Sequence, residues 1–152
     1  MVSTGYSEVE HVGFTGTRLG LESKQRFALR TMLGLIHSQG GIWFHHGDCI
    51  GADEEAHIIA RALGFKIHIH PPTDPKYQSL FTKQFEAMTE PRPYMVRNQD
   101  IIDYCNILVA CPQQFPYNPQ PQRSGTWSTV YKAFKKGIPQ TIVYVDGTIE
   151  YR

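Results

Sequence analysis

One stretch of the chain decides the fold: I-W-F-H-H-G-D-C-I-G-A-D-E-E-A-H, from Ile42 to His57. Its apolar, β-prone start at residues 42–44 predicts a buried strand, and Gly47 and Gly51 then interrupt the strand pattern. Asp53 belongs to a residue type that caps helices, and apolar residues follow it with helical spacing at Ala56, Ile59, Ala60 and Leu63. The stretch therefore predicts a strand, a glycine turn and a helix in direct succession.

Glycine turns that join a strand to a helix occur three times in the chain. They span residues 13–20, 47–53 and 123–129. Such a turn leaves backbone N–H groups unpaired at the positive end of a helix dipole, an arrangement that suits phosphate or carboxylate. The repetition of the turn predicts a nucleotide as the ligand.

Short apolar runs alternate with segments of helical spacing along the chain. The apolar runs predict five strands, at His11–Thr15, Ile42–His46, Lys66–His70, Ile107–Cys111 and Thr141–Val145. Helices are predicted at Ser23–His37, Asp53–Leu63, Arg97–Tyr104 and from Thr126 to Lys136. The alternation predicts an α/β fold with a Rossmann-like open, mostly parallel sheet of about five strands and with helices on both faces.

The helical spacing also predicts which side chains meet the core. In the first helix one face carries Ala28, Met32, Leu35 and Ile36. In the last helix the predicted buried residues are Trp127, Val130, Tyr131 and Phe134. Two long proline-rich segments, residues 71–93 and 112–123, are predicted to be loops that act as functional lids or oligomer contacts.

The composition is that of an ordinary globular protein of 152 residues, which we interpret as a single domain. Hydrophobic residues make up 41% and charged residues 19%, so the chain is able to bury a core. The net charge of +1 argues against nucleic acid as the main partner. Binding of a single strand by stacking on Trp43, Trp127 or the tyrosines of the proline-rich loop is a weaker hypothesis, because the net charge is near neutral and both tryptophans are predicted to be core residues.

The cysteines, Cys49, Cys105 and Cys111, are odd in number and lack CxxC spacing. They therefore predict neither a disulfide framework nor a zinc ribbon. No window approaches the roughly 18 apolar residues of a membrane span, and the N-terminus has no apolar signal-peptide segment. We expect a cytoplasmic protein with no membrane partner and no cofactor.

The first and third turns offer groups that bind phosphate. Neither the G-x-G-x-x-G dinucleotide fingerprint nor the P-loop sequence is present. Gly16 and Thr17 nevertheless place flexible backbone and a hydroxyl beside Arg18, whose guanidinium binds phosphate bidentately. The third turn is predicted to add an anion site at a helix start, formed by Arg123, Ser124, Gly125, Thr126 and Thr129. The alternative for each turn is a purely structural loop.

The second turn carries two carboxylates, Asp48 and Asp53, beside Gly47 and Gly51. These carboxylates are predicted to bind sugar hydroxyls or to take part in catalysis. The alternative for Asp53 is a cap of the following helix and nothing more. Arg97–Asn98, at the start of a later helix, is expected to project into the same cleft.

The seven histidines raise the question of a metal site. His68 and His70 share one face of a predicted strand, as two metal ligands do. The H-E-x-x-H motif and a Cys/His quartet are both absent, so we predict no metal site. His57 is predicted instead to be a hydrogen-bonding neighbour of the second turn.

These motifs resemble those of the SLOG superfamily, which joins the DNA-processing protein A (Smf) family to the Lonely-guy phosphoribohydrolases. The chain is most similar to the small single-domain YpsA-like and YspA-like members. Gly51–Ala60 resembles the signature G-[IA]-D-x-x-A-H-x-x-A of the DNA-processing family. Met95–Asn98, followed by Asn106–Pro112, resembles the Lonely-guy pattern M-x-x-R-K, then D-A-F-I-A-L-P. Ser124–Thr126 matches part of P-G-G-x-G-T-x-x-E.

The resemblance also implies a reaction, because the Lonely-guy enzymes use an Arg and a Glu to cleave the N-glycosidic bond of a nucleoside monophosphate. Arg97 matches that Arg, but Thr129 stands where the Glu belongs, and Asn98 and Asn106 replace a Lys and an Asp. An oxocarbenium-like transition state needs a nearby carboxylate. If this chain is an N-glycosidase, that carboxylate must come from Asp48, Asp53, Asp100 or Asp103.

Two functions are open at this point. In the first, the protein cleaves an N-glycosidic bond, with Arg97, Asp48 and Asp53 as the catalytic residues. In the second, it binds a nucleotide without turnover, as a sensor or sequestering module. Members of the superfamily often pair through helices beside the site, so the resemblance also implies a homo-oligomer, a dimer or larger.

Overall fold

The structure, a computed structural model, describes residues 9–82, 84–115 and 124–152. Within these residues seven strands form one sheet: β1 His11–Gly16, β2 Trp43–His46, β3 Lys66–Ile69, β4 Ala87–Met88, β5 Ile107–Cys111, β6 Gln140–Val143 and β7 Ile149–Tyr151. The helices are α1 Ser23–Ser38, α2 Ala52–Leu63, α3 Tyr94–Tyr104 and α4 Gly125–Lys136, and a short 3-10 helix covers Pro75–Tyr77. None of the helices in the described ranges is long and apolar enough to span a membrane. Arg123 lies outside these ranges, as does most of the second proline-rich segment.

The sheet has the strand order β4-β3-β2-β1-β5-β6-β7. Neighbouring strands are parallel except for β6 and β7, which are antiparallel. The chain builds outward from β1 through β2, β3 and β4, and then returns to place β5 on the other side of β1. In such sheets ligands bind beyond the carboxyl ends of the strands where the order reverses, which is here between β1 and β5. The predicted open, mostly parallel α/β sheet is confirmed.

All five predicted strands are present, and two short strands extend the sheet at its edges. β4 has only two residues and β7 has three, too few to produce a recognisable alternation in the sequence. β4 lies within the first proline-rich segment and pairs with β3 through His68–Ala87 and Ile69–Met88. Part of that segment is therefore sheet rather than loop.

Helices cover both faces of the sheet. On one face, α1 and α2 pack over a core that includes Val12, Phe14, Leu29, Leu33, Ile36, Phe44, Ile59 and Ile67. On the other face, α3 and α4 pack over a second core that includes Ile102, Leu108, Ala110, Trp127, Val130 and Ile142. Burial of these apolar groups is the main driving force for folding. Trp127 is a core residue as predicted, whereas Trp43 is only partly buried.

Three side chains that helical spacing assigned to the core are exposed. Leu35 on α1 is 43% exposed, and Tyr131 and Phe134 on α4 are 60% and 66% exposed. The prediction was wrong because each helix meets the sheet through a neighbouring stripe of residues. In α4 that stripe includes the buried Val130 and Ala133, and the two aromatic rings lie on the outer flank.

Glycine ends two of the helices, as the sequence predicts. Gly64 after α2 and Gly137 after α4 adopt the left-handed conformation, and their N–H groups bond to carbonyls of the last turn. α3 begins three residues earlier than predicted, at Tyr94. Its first intrahelical hydrogen bond runs from Arg97 N to Pro93 O at 2.8 Å. Proline is tolerated before this first turn because the first N–H groups of a helix have no intrahelical partner.

The first glycine turn differs from its prediction, because Gly13 and Gly16 belong to β1. β1 continues to Gly16, where it pairs with Cys111 of β5. A Cβ atom at Gly16 would lie 2.5 Å from the Cβ atom of Ala52, so glycine is needed where α2 approaches the strand end. The turn proper is therefore residues 17–20.

Candidate functional site

A cleft opens at the carboxyl edge of the sheet, beside the ends of β1, β2 and β5. It has three adjoining parts that share the side chains of Arg18 and Tyr94, and we call it the Arg18–Tyr94 cleft. The outer part has a volume of about 390 Å³, the lateral part about 490 Å³ and the deep part about 30 Å³. The two larger parts have the size of sites for small organic ligands.

The deep part brings together residues that are far apart in the sequence. Its walls include the predicted site residues Gly16, Arg18, Gly47, Asp53, Arg97, Asn98 and Thr126. The lateral part adds Thr17, Ser124 and Gly125. These residues come from the end of β1, the first turn, the second turn, α2, α3 and the start of α4. They meet because parallel strands end at one edge of the sheet, and the segments that follow the strands therefore start there.

The start of α4 presents backbone N–H groups to the cleft. Ser124 is the N-cap residue, and its hydroxyl oxygen accepts a hydrogen bond from Trp127 N at 3.4 Å. The first intrahelical hydrogen bond runs from Ser128 N to Ser124 O at 2.9 Å. The N–H groups of Gly125 and Thr126 therefore precede the helical ladder and are available to an anion at the positive end of the helix.

Arg97 is buried beneath the second turn and bonds to its backbone. Its Nη1 donates to the carbonyl of Gly47 and, at 3.1 Å, to the carbonyl of His70. Its Nε donates to Oδ1 of Asn98 at 2.8 Å. A Cβ atom at Gly47 would lie 2.6 Å from Nη1, so the glycine makes room for the guanidinium. Arg97 thus holds the ends of β2 and β3 together while one side of it faces the deep part of the cleft.

Asp53 does not cap α2, so that alternative was wrong. The N-cap position is Gly51, and Asp53 is the second residue of the helix. Its Oδ2 accepts hydrogen bonds from Gly47 N and Cys49 N, both at 3.1 Å. The second turn folds back over the carboxylate, and burial raises the pKa of Asp53 to about 6, although Arg97 and the two N–H groups act to lower it.

Two predicted site residues turn away from the cleft. The carboxylate of Asp48 accepts hydrogen bonds from the Thr82 hydroxyl and, at 3.0 Å, from Nε2 of Gln78. Asp48 therefore ties the second turn to the proline-rich segment after β3. The hydroxyl of Thr129 donates to the carbonyl of Gly125 at 2.8 Å, inside α4. Both side chains are buried, and neither belongs to the walls of the three parts.

Gly51 shapes the cleft from behind. It has a φ of +85° and a ψ of −123°, a conformation that residues with side chains rarely adopt. A Cβ atom there would overlap the backbone carbonyl of Arg18. Next to it, Ala52 N donates to Thr17 O at 2.9 Å. The start of α2 thereby holds the backbone of the first turn in place.

Sequence reasoning missed two tyrosines of the cleft. The guanidinium of Arg18 lies 3.9 Å from the ring centroid of Tyr77, and that of Arg97 lies 5.1 Å from the ring centroid of Tyr94. Tyr77 belongs to the first proline-rich segment and Tyr94 follows it directly, so the functional loop predicted there was the available signal. A Cβ atom at Gly125 would overlap the Tyr94 hydroxyl, which brings α3 and the start of α4 into contact.

Cys49 lines the outer and deep parts but is not an activated thiol. Burial, together with the charge of Asp53, raises its pKa to about 11, although Arg97 acts to lower it. The thiol is therefore protonated at neutral pH. A nucleophilic cysteine needs the opposite shift, so thiolate chemistry is not indicated here.

His57, predicted to be a hydrogen-bonding neighbour of the second turn, is linked to that turn through His46. Asp48 N donates to Nδ1 of His46 at 3.0 Å, and Nε2 of His46 lies 2.8 Å from Nδ1 of His57. Since Nδ1 of His46 is an acceptor, its Nε2 carries the proton and donates to His57. Burial lowers the pKa of both histidines, so this pair is neutral and supports the turn as hydrogen-bonding groups.

Comparison with models of known protein families finds no match, and comparison with the sequences of characterised proteins finds none either. The structure is similar to solved structures. A molybdenum cofactor binding protein from the phototrophic bacterium Rippkaea orientalis matches with a TM-score of 0.65 and 18% identity, over 88% of this chain and 76% of that one. The molybdenum cofactor carrier protein from Chlamydomonas reinhardtii matches with a TM-score of 0.59 and 20% identity, over 87% and 74% of the two chains. The protein TM1055 matches with a TM-score of 0.61 and 13% identity, over 86% and 72%.

The fold is shared. These similarities establish a Rossmann-like α/β fold, and they are compatible with the SLOG-type fold expected from the motifs.

Proposed function

We propose that the protein binds a nucleotide or a nucleotide-derived ligand in the Arg18–Tyr94 cleft. One observation carries the proposal: Arg18 lines the same space as the N–H groups of Gly125 and Thr126, which the helix leaves unused. A guanidinium and a helix N-terminus both attract phosphate, and together they suit its negative charge and its several oxygen acceptors.

The walls of the outer part suit the base of such a ligand. Tyr77 and Tyr94 contribute aromatic rings, and Met95 contributes an apolar side chain. Flat heterocycles bind to tyrosine rings by stacking, which tolerates different bases. Asp74 adds a carboxylate, which accepts hydrogen bonds from hydroxyl or amino groups.

The sugar contacts that we propose differ from those expected from the sequence. Because Asp48 is bonded to the proline-rich segment, we leave it out of them. Asp53 lines the deep part, whose volume of about 30 Å³ has room for roughly one water molecule. A sugar hydroxyl in the outer part would therefore reach Asp53 through a water.

Binding without cleavage is the function that the geometry supports best. Cleavage of an N-glycosidic bond needs a carboxylate beside the sugar, and Thr129 occupies the position that matches the catalytic Glu. Arg97, which matches the catalytic Arg, bonds through Nε and Nη1 to protein oxygens. Both features favour a nucleotide sensor or sequestering module.

Cleavage of the N-glycosidic bond is the second candidate function, and the position and pKa of Asp53 favour it. Asp53 is the carboxylate among the described walls of the deep part, and its pKa is raised to about 6. A carboxyl group with that pKa exchanges its proton near neutral pH, as general acid and base catalysis requires. In this mechanism Asp53 supplies the carboxylate that Thr129 does not.

The proposal is tested with a panel of nucleoside mono-, di- and triphosphates, read by thermal shift and by isothermal titration calorimetry. The names of two structural neighbours add the molybdenum cofactor to the ligands for the same test. We expect at least one phosphorylated ligand to raise Tm, because a ligand that binds only the folded state stabilises it. The corresponding nucleoside without phosphate is expected to bind much more weakly.

Arg18→Ala is expected to weaken binding by roughly tenfold or more, since a hydrogen bond to a charged group contributes about 1.5–3 kcal/mol. The matched control is Arg30→Ala, which removes an exposed arginine from α1 and is expected to leave the affinity unchanged. Equal affinities for Arg18→Ala and the unmodified protein would reject the proposed phosphate position.

The two candidate functions are separated by chromatography of the same mixtures. Release of free base that Asp53→Asn abolishes would support cleavage. A thermal shift with the ligand recovered intact would reject cleavage and leave the binding function standing.

We also propose that the protein forms a homo-oligomer, with the outer flank of α4 as part of the interface. Tyr131 and Phe134 are exposed there, with ring centroids 6.4 Å apart. Large exposed apolar groups that lie together are typical of interaction surfaces. Analytical ultracentrifugation tests this proposal, and the double variant Tyr131→Ser, Phe134→Ser is expected to reduce the assembly. The control variant is Phe27→Ser on α1, outside the proposed interface. The proposal is rejected if the unmodified protein is a monomer.

A further inference from the structure

One face of the sheet carries four histidines from three adjacent strands. His11 lies on β1, His45 on β2, His68 on β3 and His70 directly after β3; we call them the histidine face. Strand pairing places His45 beside His68, and side chains two residues apart on a strand share a side. The ring of Tyr104 from α3 lies 5.1–5.4 Å from the rings of the last three. The histidine face is separate from the walls of the Arg18–Tyr94 cleft.

A chain of hydrogen bonds joins these residues. Nδ1 of His11 lies 3.0 Å from Nε2 of His45, and Nδ1 of His45 lies 3.0 Å from Nε2 of His70. The Thr89 hydroxyl continues the chain, at 2.9 Å from Nδ1 of His70 and 2.8 Å from Nε2 of His68. His45 and His70 are buried, whereas His68 is partly exposed, so the chain leads from the interior toward solvent.

We propose that His45, His68 and His70 form a binding site for a transition-metal ion such as Zn²⁺. One ring nitrogen of each lies within 4.8 Å of one ring nitrogen of each of the others. Three protein ligands and one open position are typical of reactive zinc sites. Imidazole suits zinc, copper and nickel, whereas magnesium and calcium prefer oxygen ligands, so the ligand chemistry selects the former class.

The distances call for only a small rearrangement. Zn–N bonds of about 2.0–2.1 Å at tetrahedral angles place the ligand nitrogens roughly 3.4 Å apart. The facing nitrogens of His45 and His70 are already 3.0 Å apart, and the ion would replace the proton that they share. The ring of His68 is stacked on that of His70 with centroids 4.3 Å apart. A rotation of His68, the least buried of the three, completes the ligand set.

The ring nitrogens of His45 and His70 that would not bind the metal have hydrogen-bond partners of their own. Nε2 of His45 bonds to His11, and Nδ1 of His70 bonds to the Thr89 hydroxyl. Metal-bound histidines commonly donate their second N–H group to such a partner, which sets the tautomer and orients the ring. His11 and Thr89 are therefore positioning residues of the proposed site.

Burial favours the neutral imidazoles that bind metals. It is the main cause that lowers the pKa of His45 to about 2 and the pKa of His70 to about 3, and neighbouring imidazoles contribute. The three ligands bring no negative charge, and Arg97 lies near enough to lower the pKa of His70. We therefore expect a hydroxide or another anion at the open position, on the side of His68 that solvent reaches.

The test is a titration of the full chain with Co²⁺, after treatment with a chelator and without a polyhistidine tag. Tetrahedral Co²⁺ with nitrogen ligands absorbs visible light far more strongly than hydrated Co²⁺ does. We expect the absorption to saturate at about one Co²⁺ per chain and to disappear when Zn²⁺ displaces it, as for a single site with three histidine ligands. Zn²⁺ should also raise Tm, because it binds the folded state.

Two variants and a control locate the site. His68→Gln removes the most exposed ligand, and Thr89→Val removes the hydroxyl that bonds to both His70 and His68. Each is expected to weaken Co²⁺ binding by roughly tenfold or more. The control is His37→Gln, which replaces a histidine of α1 that bonds to the carbonyl of Gly41, away from the histidine face. It is expected to bind Co²⁺ as the unmodified protein does.

The proposal is overturned if saturating Co²⁺ produces no tetrahedral spectrum, or if His68→Gln and His37→Gln bind Co²⁺ equally well. In either case the histidine face is a hydrogen-bond network and nothing more. Circular dichroism in the presence of chelator establishes that each variant is folded. If His68→Gln fails this check, Thr89→Val, which changes shape least, decides the question.

Discussion

The Arg18–Tyr94 cleft and the histidine face share β1 and β2, yet they are built in opposite ways. The cleft lies where strands end, and it collects glycines, backbone N–H groups and one exposed arginine. The histidine face lies along the strands and collects side chains through strand pairing. The cleft is open to a ligand, whereas two of the four residues of the histidine face, His45 and His70, are buried.

Burial shifts the pKa values of acidic and basic groups in the two regions in opposite directions. Asp53 loses hydration as an anion, so its pKa rises to about 6. His45 and His70 lose hydration as cations, so their pKa values fall to about 2 and about 3. The cause is the same in both regions, because burial disfavours the charged form. Acid is therefore expected to stabilise the folded state through Asp53 and to destabilise it through the histidines.

The largest effect is expected on the histidine face of the metal-free chain when the pH falls. The folded-state pKa values of His45 and His70 lie below 6.5, so the unfolded state binds more protons. The contribution of the two histidines to the stability of the folded state is fully present above pH 6.5. It is lost as the pH falls toward their folded-state pKa values. Between pH 7 and pH 5 the loss is roughly 2 kcal/mol for each histidine, about 4 kcal/mol together. Urea denaturation in chelator at several pH values measures it, and a constant free energy of unfolding would contradict it.

The next largest effect is expected at the second turn of the cleft. Gly51→Ala combines an unfavourable φ with overlap on the backbone of Arg18, and it should destabilise the fold by about 3 kcal/mol or more. Gly137→Ala is the matched control, since its φ of +81° is also positive but no atom lies within 4 Å of the added Cβ. It should cost about 1–2 kcal/mol. Equal losses in denaturation experiments would show that the overlap at Gly51 is relieved.

A smaller effect of opposite sign to that of the histidines is expected at Asp53. Its folded-state pKa is raised above the ordinary value of 3.8, so between these values the folded state binds more protons. Its contribution to stability therefore rises as the pH falls from 7 to 5, by roughly 1 kcal/mol. Asp53→Asn keeps an oxygen acceptor for the turn but does not titrate. The difference in unfolding free energy between the two proteins, taken at both pH values, isolates the carboxylate.

The smallest effect on stability is expected at Arg18, although its effect on binding is large. The guanidinium is exposed and lies over Tyr77, so Arg18→Ala should change the free energy of unfolding by less than about 1 kcal/mol. Comparison of Tm without ligand for Arg18→Ala and Arg30→Ala measures this. A large loss of stability in Arg18→Ala would assign the residue to the fold rather than to the ligand.

Local patterns in the sequence were enough for most of the fold. The apolar runs predicted five strands, and Gly64 and Gly137 predicted two helix ends. Both kinds of pattern could be recognised because a buried strand and a left-handed helix cap each depend on residues that are close together in the sequence. β4 and β7 were not predicted because they are too short to show an alternation of apolar and polar residues. The exposure of Tyr131 and Phe134 was not predicted, because the face that a helix turns toward the sheet depends on the sheet as well as on the helix.

The site was predicted less completely than the fold. Arg18, Asp53 and Thr126 were named from their turns, and Arg97 was named from a helix start and from the family resemblance. The four residues line one space because parallel strands end together. Tyr77 and Tyr94 were missed, since no motif marks a ring that reaches the cleft from a proline-rich segment. The direction of Asp48 was also out of reach, because Gln78 and Thr82 bond to it from 30 and 34 residues away.

By itself the sequence determined the alternation of strands and helices, the glycine turns and the residue types that follow them. These features depend on interactions within a few residues of the chain. Only the tertiary structure decided which turns share a cleft, which way each carboxylate points and which histidines meet. Those outcomes depend on strand order and register, and both are set by contacts between segments that are distant in the chain.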